Sequence, residues 1–275
     1  MMKRVLSVQD LSCLGKCSLT VALPILSAMG ISCSVLPTAV LSTHTGFPGP
    51  TVHSLTEEMG KISAHWERIG AEFDAILVGY LSDPAQAEAV LDVISAFDCP
   101  VILDPVMGDH GERYHGITAE HISAMRDLCS LSQVVLPNVT EAALLTGLPY
   151  QEQTDGHYLR MMLERLCMGP KTQTVIITGT DSDPNHTGFA GICREEGLFS
   201  YRAERISKTS HGTGDMFSAV FAGAYVQGVD PLEAATLAAG FVERVLQGTE
   251  KTTPFGAEFE KQLPWLWKQV EMLNA

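Results

Sequence analysis

Ser210-His211-Gly212-Thr213-Gly214-Asp215-Met216-Phe217 sets a glycine-flanked threonine directly before Phe217, Val220, Phe221, Ala224 and Tyr225, which recur at helical spacing. The pattern predicts a tight turn that opens an apolar helix. The first amides of such a helix have no partner within it and carry the positive end of its dipole, so they can receive an anion such as phosphate. Gly212 and Gly214 bring no side chain to block that approach. Asp215 falls in the first helical turn, where a carboxylate is electrostatically favoured and is aimed at whatever the amides hold. Residues 212–215 are therefore a candidate group-transfer site. An aspartate near a helix start is also an ordinary cap, and the turn alone leaves both readings open.

The remaining chain repeats the same design of strand, polar turn and helix. Arg4 to Val8 reads as a strand ending in Gln9-Asp10, and Ser18 to Met29 as a helix closed by Gly30. Gly15-Lys16 lies between them, but Asp10 takes the place of the first glycine of a Walker loop and Cys17 that of its Ser/Thr, so that motif is rejected. A strand over Ser34 to Leu41 runs into Ser42-Thr43-His44-Thr45-Gly46-Phe47-Pro48-Gly49-Pro50, a loop placed where open α/β sheets hold ligands. A helix is expected over Thr51 to Ile69, then a strand from Ala75 that ends in the aromatic Tyr80. Asp83 caps a helix reaching Ala96, with Pro84 at its first position.

Val101-Ile102-Leu103 is an apolar strand delivering Asp104-Pro105-Val106-Met107-Gly108-Asp109 at its C-terminal end. Asp104 and Asp109 are candidate magnesium acids, because that ion borrows one or two carboxylates and keeps several waters. A capped turn is the alternative. After a helix over Thr118 to Leu131 and a strand at Val134, Asn138 and Glu141 stand at capping-box spacing. Gly156 to Leu166 reads as a helix, Thr174 to Asp181 as a strand, and Gly188 to Cys193 with Leu198 to Ala203 as a hairpin. Helices over Pro231 to Gln247 and Phe259 to Leu273 complete the pattern. This alternation predicts a doubly wound α/β fold with a mainly parallel central sheet flanked by helices, forming one compact domain over 1–275.

Eighteen Lys and Arg against 32 Asp and Glu give a net charge of −14, which argues against binding nucleic acid through a broad basic face. Positive potential for an anionic ligand must then be local, supplied by helix N-termini or a metal ion. Seven cysteines, without a Cys-x-x-Cys, fit a reducing cytosol rather than a disulfide framework. The apolar run before Asp10 is too short for a signal sequence, and no stretch approaches the roughly 20 apolar residues that cross a membrane. A cytoplasmic protein is expected.

Gly212-Thr213-Gly214-Asp215 followed by a small, apolar helix resembles the signature of the ribokinase-like kinases, whose aspartate deprotonates a substrate hydroxyl. Leu6-Ser7-Val8-Gln9, Ala22-x-Pro24-Ile25-Leu26-x-x-Met29-Gly30, Thr43-His44-Thr45-Gly46-Phe47, Gly79-Tyr80 and Asp104 to Asp109 are similar to the pyridoxal (vitamin B6) kinases. The resemblance extends from Leu6 to about Gly248. It implies ATP-dependent phosphorylation of the 5′-hydroxymethyl group of pyridoxal, pyridoxine or pyridoxamine, with Asp215 as base. Thr45, Gly46 and Tyr80 would contact the vitamer, while His44 holds its loop. Asp104, Asp109 and Glu141 would serve magnesium, with Asn138 fixing Glu141. Thr178 and Thr180 would offer hydroxyls to ATP phosphates. A monovalent cation is a further candidate cofactor, and a homodimer is implied by the resemblance alone.

At position 10 that family usually carries a serine in contact with substrate. Asp10 either takes over the contact, where it would favour a cationic group, or caps the first loop. Hydroxymethylpyrimidine kinases are the runner-up; they commonly carry Cys at the position of Asp215 and lack the His-Thr-Gly-Phe and Gly-Tyr context. A non-catalytic B6- or nucleotide-binding protein is the third reading.

Overall fold

A computed structural model describes residues 2–273 except 181, 182, 209 and 252. In chain order, strand β1 spans Arg4–Ser12, helix α1 Leu19–Ala28, β2 Ser32–Leu41, β3 Val52–Ser54, α2 Thr56–Arg68, β4 Ala75–Val78 and α3 Gln86–Phe97. There follow β5 Val101–Leu103, β6 Gly108–Asp109, β7 Glu112–Arg113, α4 Ala119–Leu131, β8 Val134–Val135, α5 Val139–Thr146 and α6 Gly156–Leu166. The chain ends with β9 Thr174–Thr178, β10 His186–Cys193, β11 Gly197–Glu204, α7 Thr213–Val226, α8 Pro231–Gly248, a 3-10 turn over Phe259–Gln262 and α9 Leu263–Leu273. The contacts divide it into two compact units, Met1–Cys99 with Ile206–Ala275, and Pro100–Arg205.

In the first unit the strands run in the order β4-β1-β2-β3. The β1 pairings to β2 and β4 are parallel, and β3 joins the edge antiparallel. Val5 to Asp10 are all buried, as expected for a strand covered on both faces. Helix α7 is apolar nearly all round, and its residues Met216 to Ala224 are buried. Gly223 lets it pack closely on the end of α1, because a Cβ there would sit 2.5 Å from Met29 Sδ. The second unit orders its strands β11-β10-β9-β8-β5. Here β5, β8 and β9 are parallel, while β10 and β11 add an antiparallel hairpin. Both units thus carry the mixed, mostly parallel sheet with helices that the alternation predicts.

Several boundaries differ from the sequence reading. β1 continues through Gln9 and Asp10 to Ser12, with a register shift against β2 between Gln9 and Leu11, so Asp10 lies inside a strand and not in the first loop. The helix expected from Thr51 starts at Thr56 instead. Val52–Ser54 pairs with Ala39–Leu41, since β2 leaves an edge that an extended Val-His-Ser can fill. Asp83 does not cap a helix at Pro84; its Oδ1 accepts the Ala85 amide in a turn that precedes α3. β9 stops at Thr178, which leaves Thr180 in the following loop, and Asp181 is outside the described residues.

Candidate active site

Gly212 caps α7 with a left-handed backbone (φ 84°), and Met216 N donates to its carbonyl oxygen at 2.9 Å. A Cβ on Gly212 would lie 2.1 Å from the Lys16 carbonyl oxygen, so this position is closed to any other residue. Two backbones meet there. Over Gly214, in contrast, a Cβ would meet nothing within 4 Å. The amide end of α7 is thus seated from behind and open in front, as an anion site requires. Asp215 occupies the third helical position, half-buried. Its charge helps to hold the nearby Cys17 thiol well above the ordinary thiol range, after burial and ahead of Asp10 in effect.

Asp10 is 3% exposed. Ser12, two residues on and therefore on the same strand face, donates Oγ to Asp10 Oδ2 at 2.9 Å. Burial raises the Asp10 pKa, opposed by the Ser18 and Ser12 hydroxyls and by His44. Tyr80 follows the end of β4, and its hydroxyl is also pushed up by burial and by Asp10. Ser18 holds φ 49°, unusual for a non-glycine residue, at the start of α1.

His44 fixes the Thr43–Phe47 loop. Its Nδ1 accepts the Gly46 amide at 3.2 Å, so Nε2 carries the proton and donates to Pro254 O at 2.8 Å. The ring lies 4.4 Å from that of His211 and 4.7 Å from that of Phe47. Gly46 fits against both histidines, since a Cβ there would come within 2.9 Å of His44 Nδ1 and 3.0 Å of His211 Cε1. The loop bearing Thr45 is thereby brought to the turn bearing Asp215. Lys16 points elsewhere, to Glu260 Oε2 at 2.7 Å, in keeping with rejection of a Walker motif.

In the second unit, Asn138 and Glu141 form the expected capping box of α5. Asn138 Oδ1 accepts the Glu141 amide at 3.0 Å and Glu141 Oε2 accepts the Asn138 amide at 2.8 Å. Their other atoms reach the loop after β5. Met107 N donates to Glu141 Oε1 at 3.1 Å, and Asn138 Nδ2 donates to Gly108 O at 2.8 Å. The Glu141 pKa is raised well above the carboxylate range by burial, then by Asp104, and also by Asp109; the Asn138 and Met107 amides oppose this. Asp104 is 8% exposed, whereas Asp109 sits in the β6–β7 hairpin and its Oδ1 accepts the His110 amide. Thr178 reaches the same turn through a bridge to Asn138, and Thr180 N donates to Gly188 O.

Buried oxygen donors suit a hard cation such as magnesium. Among the described residues no three His, Cys, Asp or Glu side chains converge as a protein-only metal cage. Asp104 and Glu141 lie near enough to raise each other's cost of ionisation, a pair of acids that would suit an ion keeping most of its waters.

The sequence profile of the phosphomethylpyrimidine kinase family matches residues 26–260. A pyridoxine/pyridoxal/pyridoxamine kinase from Bordetella pertussis is 30% identical over 92% of this chain and 90% of its own length. The chain belongs to this family of phosphomethylpyrimidine and pyridoxal kinases. Its relatives are vitamin B6 kinases of the ribokinase-like superfamily, in agreement with the motifs. The crystal structure of pyridoxal kinase from Lactobacillus plantarum superposes with a TM-score of 0.90 at 31% identity, covering 99% of both chains. That of the Leishmania donovani pyridoxal kinase with ADP and pyridoxamine gives 0.83 at 25% identity, covering 96% of this chain and 95% of the other. A Bacteroides thetaiotaomicron protein, a candidate phosphomethylpyrimidine kinase crystallised with pyridoxal, gives 0.92 at 35% identity over 97% and 96%.

The family's kinase chemistry draws attention to residues that the sequence reading did not single out. Ser12 was not legible, because the strand was read as ending before Asp10. Nor were Ser18 and His211, because nothing local marks their approach to Asp10 and His44. His110 and His115 are exposed.

Proposed function

We propose that this chain is a B6 vitamer kinase that transfers the terminal phosphoryl group of ATP to a vitamer's 5′-hydroxymethyl group, both units acting as one kinase domain. The observation that carries this reading is Asp215 in the first turn of α7, behind the left-handed Gly212 and beside the open face of Gly214. Asp215 accepts the hydroxyl proton as attack begins. The amides of Gly212, Thr213, Gly214 and Asp215 stabilise charge on the transferring phosphoryl oxygens. Thr45, Gly46, Tyr80 and Asp10 bind and orient the vitamer, and Thr178 and Thr180 contact ATP. Asp104, Asp109 and Glu141 would hold magnesium, Glu141 through the ion's water shell, with Asn138 keeping Glu141 in place. When bound, magnesium neutralises phosphate charge during the transfer.

A homodimer and a cytoplasmic setting remain part of this reading. Seven free thiols support the latter. Among the described residues no helix is long and apolar enough to cross a membrane. The name of the matching family keeps hydroxymethylpyrimidine kinase as the second reading. The test is a panel of pyridoxal, pyridoxine, pyridoxamine and hydroxymethylpyrimidine with ATP and magnesium, read as phosphorylated product and ADP. We expect turnover of the vitamers. Turnover of the pyrimidine alone would favour the second reading, and binding of vitamers without ADP release would leave a non-catalytic binder. Omitting magnesium and varying potassium in the same assay decides the ion requirements.

A further inference from the structure

The first unit holds a buried carboxylate that the proton-transfer chemistry does not use. Asp10 is 3% exposed, and no Lys or Arg among the described residues forms an ion pair with it. His44 forms no ion pair with it: its Nδ1 accepts the Gly46 amide and its Nε2 faces Pro254 O. The titratable groups that face this corner are Cys17 from the loop before α1, His44 from the loop after β2, Tyr80 from the end of β4 and Asp215 from α7. None of them is a Lys or Arg. A buried carboxylate without a cation is costly, and a fold keeps one where a partner arrives from outside.

The chemistry of that partner can be narrowed. Ser12 already gives its hydroxyl to Oδ2 and Ser18 lies near enough to act on the carboxylate, so the remaining lone pairs suit a cation with one N–H in preference to a three-donor ammonium. Tyr80, whose hydroxyl feels the Asp10 charge, supplies a flat aromatic surface beside it. We propose that Asp10 is the counter-ion of the substrate's protonated ring nitrogen, so that the site takes the pyridine nucleus of a B6 vitamer as its pyridinium form. This rests on the B6 kinase reading. Asp10 is here a specificity-determining residue, separate from the base Asp215.

Asp10→Asn keeps the size of the side chain and removes its charge, and Asp10→Ser leaves only a hydroxyl. The measurements are equilibrium binding and kcat/KM for pyridoxine, pyridoxal and pyridoxamine, with the absorption spectrum of bound pyridoxine, which reports ring protonation. Wild type should bind pyridoxine with its ring protonated at a pH where free pyridoxine has largely lost that proton. Both variants should lose about 30-fold or more in affinity for all three vitamers, the usual effect of removing one partner of a buried charge pair. The free Asp10→Asn protein should melt no lower than wild type. A neutral pyridine ring in the wild-type complex overturns the proposal without recourse to any variant. So does unchanged vitamer affinity in Asp10→Asn, or a loss confined to pyridoxamine, which would assign Asp10 to the aminomethyl ammonium. Failure of wild type to bind or phosphorylate any vitamer would instead remove the B6 kinase reading itself, and this proposal with it.

Discussion

Asp10 in the first unit and Glu141 in the second are both buried carboxylates with raised pKa values, yet the chain holds them in opposite ways. Glu141 is gripped by main-chain amides of Asn138 and Met107, which ties the start of α5 to the loop after β5. Asp10 accepts a side-chain hydroxyl from Ser12, with Ser18 and its own amide also opposing the rise in its pKa. An amide in a capping box cannot turn away, whereas a hydroxyl can rotate to accommodate a new donor. The first arrangement serves the fold as well as any ligand; the second leaves its charge for a ligand to meet.

The strongest way to break this comparison is through Asp215, the carboxylate assigned to chemistry rather than to either role. Asp215→Asn is expected to lower kcat about 10²–10⁴-fold, the range for loss of a general base, with the KM for ATP little changed. Steady-state kinetics with a vitamer decides it, and near-normal turnover would remove Asp215 as base. Next in size is Gly212→Ala, which forces a side chain into left-handed backbone and against Lys16 O. Left-handed strain alone costs about 1–3 kcal/mol. Thermal melting should drop and turnover should fall with it; a wild-type melting point would show that the turn relaxes freely.

Glu141→Ala sharpens the contrast from the other unit. It removes the acceptor of two buried amides, at a cost of about 1–3 kcal/mol for each group left unsatisfied, so it should destabilise strongly. Glu141→Gln keeps one acceptor oxygen and turns its NH2 towards the other amide, so we expect it to lose less stability than Glu141→Ala while requiring more magnesium for half-maximal rate. Equal melting points for the two variants would mean that the capping role is minor.

The pH dependence of the free protein follows from Asp10. Its folded pKa lies above the ordinary 3.8, so its contribution to stability is whole below that value and is lost as pH rises through the raised one. Within that window wild type should lose stability with rising pH more steeply than Asp10→Asn, measured by denaturant titration; parallel curves would contradict the burial of this charge. The smallest expected effect is that of Lys16→Met. It breaks a partly exposed pair with Glu260 worth at most about 1 kcal/mol and should leave the KM for ATP almost unchanged. A large rise in that KM would restore the rejected Walker reading.

Local chemistry made much of this protein legible from the chain alone. The strand-turn-helix alternation, the Gly-flanked start of α7 and the Asn138–Glu141 box depend on residues a few positions apart, and sequence fixes such neighbours directly. The same holds for the apolar strand that ends at Asp104. Tertiary structure alone decided that β1 runs on through Asp10, that Val52–Ser54 leaves the expected helix to pair with β2, and that Ser18 turns to Asp10. Each of these is a contact between segments separated by a strand, loop or helix, where the energy of an edge filled or a charge solvated overrides local propensity. Residue types named the carboxylate at position 10; only the packing around it showed that it stands buried with no Lys or Arg paired to it among the described residues.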